Sequence, residues 1–499
     1  MHDSSTQRPS GNEPLSGEDA IFYYLDTKDM PLHIACVLVF DGPIPVEDCI
    51  ELVRSKLPLI PRYRQRVIEP PFNVGHPMWE WDPAFDVSNH VHGRRLKRGT
   101  EAELQTLTGH ILSKAMDRSK PLWDMTVVSG LHEGRAAIVM RAHHCLVDGV
   151  AGVALLNVLF NPSADPIEQP KVEPRPPMDP AISLIEGILT SYSELIDRFT
   201  SVQSAALNIV GAVAERGVAA IEELLRFTPE LLGSVDRLPF NRPCLGPRKL
   251  VWTEAPIADV NAIRETLGGK LNDIVLAVVA TAIRRYTQIH RQPVKGRMLR
   301  IMVPVNIRAR DGIQNGGDHG TGNRVSMLPL VIPLDIAKPV KMLAAVRERM
   351  DLLKQSAVSE VIRMVGNWIG FVPAPVQALI GPYASSSPLL PIPPWNMVCT
   401  NVPGPPQTIH AFGRKLLASY PYVPIGAEMG LNIAIQSYDG KLFFGIAGSD
   451  IAAPDVAIVP RLLDQSFAEL RAAAGVKTVQ PKTARVRPVR KTPAPANAA

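Results

Sequence analysis

Arg141–Gly149 reads RAHHCLVDG, and its surroundings decide how the rest of the chain is read. Upstream, Asp124–Ser129 (DMTVVS), a turn around His132–Gly134 and Ala136–Ala142 (AAIVMRA) have the β-branched and apolar pattern of a hairpin. Downstream, Val150–Leu159 (VAGVALLNVL) is a small-residue helical stretch. A histidine at a strand end can project into a cleft, and neutral imidazole is the side chain best matched to taking a hydroxyl proton near pH 7. Gly149 permits a sharp turn after Asp148. Taken alone, the His144–Asp148 spacing leaves several readings open. The pair could be structural. It could ligate a metal, but no third ligand stands at useful spacing and there is no H-E-x-x-H. A Ser-His-Asp hydrolase would need a G-x-S-x-G elbow, which is missing. Cys145 is adjacent, but nothing basic is placed to activate it.

Outward from this segment, Asn161–Pro180 carries seven prolines in twenty residues. Proline fixes φ and removes donors, so that stretch reads as an extended connector. Before it, His33–Phe40 (HIACVLVF) is a further strand candidate. After it, Ile182, Ile185, Leu189, Ile196, Phe199, Val202, Ile221, Leu224 and Leu225 form a helical stripe, read as packed core or as an amphipathic membrane-facing surface. A second mixed region follows. Asn272–Gln288 is a helix with Asn272 or Asp273 near its N-cap. Leu299–Val305 and Val325–Ile332 are strands, and Leu431–Tyr438 and Lys441–Ala447 are joined by the tight-hairpin pair Asp439-Gly440. The division expected is a first lobe over 1–160, a connector and helical region over 161–247, a second lobe over 248–475 and a disordered tail over 476–499.

The chain has 499 residues, 46% hydrophobic and 20% charged, enough for a sizeable core. Lys477, Lys482, Arg485, Arg487, Arg490 and Lys491 crowd the acid-free tail and outweigh the whole net charge of +5. The body is therefore near neutral, and a nucleic-acid groove is not expected. The tail could touch an anionic membrane or simply be a solvated extension. Five cysteines without a C-x-x-C pair argue against a disulfide framework or structural zinc and for a reducing cytoplasm. Neither a secretory signal nor an 18-residue apolar run is visible, so any membrane association is expected to be peripheral.

HHCLVDG resembles the HHxxxDG signature of the bacterial wax ester synthase/diacylglycerol acyltransferase family, within the wider CoA-dependent acyltransferases that carry HxxxDG. Pro14–Phe40, Pro61–Val67 (PRYRQRV), Asp82–Val91 (DPAFDVSNHV) and Asp117–Met125 (DRSKPLWDM) follow the family's order. So do Leu271–Tyr286, Val303–Arg308 (VPVNIR), Gly322–Leu330 and Thr400–Pro406 (TNVPGPP). The resemblance spans roughly residues 14 to 472. Ala151 departs from it, standing where members often have serine.

The resemblance implies an α/β (α+β) fold of two pseudo-duplicated lobes of the chloramphenicol acetyltransferase type, with the active site between them. It implies direct acyl transfer from long-chain acyl-CoA, a co-substrate, to diacylglycerol or a long-chain alcohol. No permanently bound cofactor and no metal are expected. His144 would be the general base and His143 a support. Asp148 would be structural, paired with an arginine of the other half, for which Arg308 is the candidate. Asn272 would be an oxyanion donor, or only a helix cap. Trp123 is read as packing, Pro403-Gly404-Pro405 as a rigid turn, and Ser385–Trp395 as a lipid-facing mouth or a buried loop. Two rivals remain at this stage: a condensation-type acyltransferase, and a non-catalytic lipid-binding or lipid-body surface protein.

Overall fold

A computed structural model describes residues 13–70, 73, 75–160, 235–306, 325–355, 377–379 and 395–476. The proline-rich connector, the helical stripe, Arg308, residues 385–394 and the basic tail lie outside the described residues.

The first half contributes α1 (Gly17–Leu25), β1 (His33–Phe40), α2 (Val46–Lys56), β2 (Gln65–Ile68) and β3 (Met78–Trp81). It continues with β4 (Val91–Arg95), α3 (Glu101–Leu112), β5 (Trp123–Ser129), β6 (Ala136–His143) and α4 (Gly149–Phe160). The second half contributes β7 (Arg248–Pro256), α5 (Ile257–Leu267), α6 (Leu271–Ile289), β8 (Met298–Asn306), β9 (Val325–Pro333) and α7 (Pro339–Gln355). After these come β10 (Met397–Pro403), β11 (His410–Ala411), β12 (Arg414–Tyr422), β13 (Leu431–Tyr438), β14 (Lys441–Ser449) and α8 (Val459–Ala473).

Two six-stranded sheets result, in the orders β11-β12-β1-β6-β5-β4 and β7-β14-β13-β10-β8-β9. The central strand β6 is buried along its whole length, which accounts for the unbroken apolar run Ala136–Met140. Arg141 is buried there because it pairs across the ladder with Asp124 and donates to the carbonyls of Ile111 (2.5 Å) and Lys114 (2.7 Å). It thereby binds carbonyls at and just beyond the C-terminal end of α3. In the second lobe α6 is buried from Ile274 to Ile283 between the sheet and helices α7 and α8. Its inward Thr281 and Thr287 hydroxyls are satisfied by the carbonyls of Ala277 and Ile283. The β13–β14 hairpin turns at Asp439 and Gly440, both left-handed (φ 43° and 77°), as a two-residue primed turn requires.

The sheets do not divide as the sequence does. The expected second lobe, 248–475, gives β11 and β12 to the first sheet, where β12 pairs antiparallel with β1. Hydrophobic patterning cannot foresee this, because a strand buried in either sheet shows the same pattern. β12 also lies against β13 and β14, and Tyr420 stacks on Trp252 of β7 (4.7 Å between centroids, 15° between planes). Leu250, Trp252, Tyr438 and Phe443 accordingly belong to the first lobe's core.

Candidate active site

β6 ends at His143, and residues 144–146 form a turn closed by Leu146 N–H to His143 C=O (2.9 Å) before α4 begins. His144 therefore stands on that turn. Its backbone N–H donates to the carbonyl of Leu32 (2.9 Å), just before β1. Its ring lies flat on Phe22 of α1, with centroids 3.9 Å apart and planes 5° apart. Burial pushes the imidazole down to a pKa of about 4, against an opposing pull from its own backbone carbonyl; His143 lowers it further and Asp148 raises it. Removing a charged imidazolium from water is what makes protonation costly here. Nδ1 is fully buried, which leaves Nε2 as the nitrogen through which the ring can meet a substrate.

His143 points the other way, into the fold. Its Nδ1 accepts from the Cys145 N–H (3.1 Å), and its Nε2 is 3.7 Å from Asp26 Oδ1. The same Asp26 oxygen accepts from the Leu32 N–H (2.7 Å). Arg118 donates to the other oxygen (3.3 Å) and to the Asp26 and Tyr23 carbonyls (both 2.8 Å), with its guanidinium 4.2 Å above the Tyr23 ring. Burial pushes Asp26 up, but His143, the Leu32 amide and Arg118 together hold it below its ordinary value. Asp26 thus reaches the peptides on both sides of His144: through Leu32 to its N–H, and through His143 to the next N–H. Cys145 is buried, and burial together with Asp19 and Asp26 holds its thiol well above the usual range.

Asp148 is buried, and its Oδ1 accepts the Ala151 N–H (2.7 Å), capping α4. Gly149 is the first residue of that helix and does not have positive φ. Its smallness serves proximity and not a sharp turn: a Cβ there would stand 3.2 Å from Val402 Cγ2 of β10. The second lobe thus meets the HHCLVDG segment at the Asn-Val-Pro-Gly run. β10 pairs with β13 as far as Pro403 but with β8 only at Met397 and Val398, so the sheet opens beside Asn401 and Val402. Asn401 Nδ2 donates to Asn272 Oδ1 (3.3 Å), which leaves the Asn272 amide nitrogen as a donor. The cap of α6 falls to Asp273, whose Oδ2 accepts the Lys270 N–H (2.7 Å), and not to Asn272. At Gly404 a Cβ would lie 1.9 Å from Ser437 O, so this turn is held tight against β13. Trp123 donates from Nε1 to Tyr63 O (2.7 Å) and stacks on His90, a packing role. Among the described residues no group of three or more His, Cys, Asp or Glu could hold a metal.

Two family models match this chain. Residues 15–275 match the wax ester synthase/diacylglycerol acyltransferase catalytic domain, and residues 321–471 match the C-terminal domain of the same family. The chain belongs to the wax ester synthase/diacylglycerol acyltransferase family. Among curated relatives, the probable diacylglycerol O-acyltransferase tgs1 of Mycobacterium tuberculosis (strain H37Rv) is 27% identical over 460 residues, covering 90% of this chain and 94% of its own. The corresponding tgs2 is 25% identical over 473 residues, covering 92% and 98%. The wax ester synthase/diacylglycerol acyltransferase of Marinobacter aquaeolei VT8 superposes with a TM-score of 0.62 at 23% identity, over 93% of this chain and all of that one. A condensation domain of the calcium-dependent antibiotic synthetase superposes with a TM-score of 0.56 at 13% identity, over 94% and 97%. That likeness is one of fold, and the two-lobed architecture expected from the sequence is the one found. The family membership makes the chain an acyltransferase and sets aside the condensation-type and non-catalytic readings.

The sequence reading placed His144, His143, Asp148, Gly149 and Asn272 at the site. The structure gathers the first four around one turn and sets Asn272 on Asn401, beside the strand that touches Gly149. Asp26 and Phe22 were missed. A carboxylate between a helix and a strand is most often solvated, and nothing in its sequence neighbourhood marks Asp26 as the exception. Asn401 lies in the TNVPGPP run, where only the Pro403-Gly404-Pro405 turn had been given a role.

Proposed function

We propose that this acyltransferase moves a long-chain acyl group from CoA to diacylglycerol, with long-chain alcohols as a second acceptor, and that His144 is its general base. The observation that supports this most directly is the His144 imidazole, kept neutral by burial and fixed by Phe22 and Leu32 at the end of β6.

Nε2 takes the proton of the acceptor hydroxyl as its oxygen attacks the thioester carbonyl. The tetrahedral adduct collapses with cleavage of the C–S bond, and the imidazolium returns the proton to the departing CoA sulfur. No acyl-enzyme forms. The Asn272 amide, oriented by Asn401, is a donor for the oxyanion, and Asp148 with His143 and Asp26 keeps the turn rigid. Acyl-CoA is a co-substrate, and no resident cofactor or metal is required by these steps. Arg308 as the partner of Asp148 remains part of this proposal. We place the protein in the cytoplasm, peripheral to membranes or lipid bodies. No single helix among the described residues is long and apolar enough to cross a membrane.

The test is labelled palmitoyl-CoA with diacylglycerol or hexadecanol, with His144→Ala in parallel. Ester formation is expected to fall about 10²–10⁴-fold in the variant. An active variant would remove His144 from the base role, and the ratio of the two esters would rank the acceptors.

A further inference from the structure

The basic residues of the first sheet's outer edge are not spent on the chemistry described above. β4 is an edge strand, and the run Arg94, Arg95, Lys97 and Arg98 is exposed. Arg95, Leu96, Lys97, Arg98 and Gly99, with the facing turn Gly130–His132, line a cavity of about 490 Å³.

Its walls are rigid. Leu96 N–H donates to Ser129 O (2.9 Å), and His132 N–H donates to Gly99 O (3.0 Å). Gly99 and Gly130 are left-handed, and the backbones approach so closely that a Cβ on Gly99 would lie 2.5 Å from Gly130 O. Glu103 accepts the amides of Lys97, Arg98 and Gly99 (2.9, 2.7 and 3.0 Å), which fixes the backbone of the loop. Glu103 is committed to those amides, although Arg98 also attracts it. Glu133, in the neighbouring turn, pairs with Arg135. No salt bridge among the described residues involves Arg95, Lys97 or Arg98.

Charges on an edge strand deter sheet-to-sheet aggregation, and that accounts for Arg94 and Arg95. It does not account for Lys97, Arg98 and His132, which lie beyond the strand and face one cavity. From this convergence of three cations and an imidazole on a preformed cavity, we infer that Arg95, Lys97, Arg98 and His132 form a binding site for a phosphate-bearing group. The site is separate from His144. In the ladders, Arg95 sits opposite Ser129 while Trp123 sits opposite Ala142, so the two ends are about 20 Å apart along the strands. Two sources carry this chemistry: the headgroup of an anionic lipid, and a soluble phosphate compound such as the nucleotide end of a coenzyme.

Two binding measurements on the full chain separate them. One is calorimetric titration with adenosine 3′,5′-bisphosphate. The other is co-sedimentation with phosphatidylcholine vesicles with and without phosphatidylglycerol. Each is repeated on the triple variant Arg95→Gln/Lys97→Gln/Arg98→Gln and on a control that removes the same charge elsewhere, Arg264→Gln/Lys338→Gln/Lys341→Gln. At least one probe is expected to bind the native chain, with a loss of about 10-fold or more in the first variant and little change in the control. Vesicle binding alone would name the lipid headgroup, and nucleotide binding alone would name the soluble source. Equal losses in both triple variants, or no binding of either probe, would overturn the site. A melting curve for each variant checks that these exposed substitutions leave the fold intact. Because the readout is binding, failure here would leave the role of His144 untouched.

Discussion

Asp26 touches no substrate in the scheme proposed here, yet the hydrogen bonds around His144 converge on it. A base displaced by about 1 Å can lose about 10²-fold in rate, so a carboxylate that fixes both peptides beside His144 acts through position. The low pKa of His144 has other causes, chiefly burial, and Asp26 is not among them. This separates two observables in one experiment. An imidazole depressed to about 4 is already deprotonated at every pH above 5, so the acid limb of kcat/KM for the native enzyme should have its midpoint near 4, not near 6.5. In Asp26→Asn the plateau should drop about 10- to 100-fold while that midpoint stays in place. A midpoint near 6.5 in the native enzyme would contradict the desolvated base. A midpoint that moves in the variant would make Asp26 an electrostatic partner of His144 instead of a positioning residue.

Among the elements, α6 and β10 deliver to the site what the first lobe lacks. The start of α6 presents Asn272, and β10 supplies Asn401 to hold it and Val402 to meet Gly149. Because Asp273 carries the helix cap, the two roles open to Asn272 can be told apart. Asn272→Ala should lower kcat by about 10²–10³ with little change in KM or melting temperature, as expected for loss of an oxyanion donor. Asn401→Ala should cost less, since it removes only the orienting bond. A lowered melting temperature with unchanged kcat in Asn272→Ala would assign this residue to helix stability alone.

For the whole molecule, the decisive feature is that β12 leaves the second lobe's sheet and pairs with β1. This joins the lobes through main-chain hydrogen bonds, and Arg248 adds to the joint by donating to Asp29 O (2.5 Å). Where β12 crosses β14 the backbones nearly touch: a Cβ on Gly445 would lie 1.6 Å from Pro421 O. Gly445→Ala must push the strands apart, and overpacking of this kind costs about 3 kcal/mol. At about 1 °C per kcal/mol for a chain of this length, the melting temperature should fall by about 3 °C. Gly440→Ala, left-handed but with open space around it, should cost less. Equal melting temperatures for the two variants would mean that this crossing does not hold the lobes together.

Local structure was legible in the residues themselves, whereas the role proposed for His144 came from the family resemblance of its segment. The apolar run His33–Phe40, the β6 run ending at His143, the α6 helix starting at Asn272 or Asp273 and the Asp439-Gly440 turn each follow a local rule of residue type, cap or dihedral angle, and each forms close to where those rules put it. The HHCLVDG segment was legible because its residue types fall within seven consecutive positions. It took the folded chain to show which sheet takes β12, that Gly149 is small to admit Val402, and that Asp26 and Phe22 hold His144. The physical reason is common to all three. Burial pattern records that a residue is covered but not by what, and contacts between residues more than a hundred positions apart leave no period in the chain.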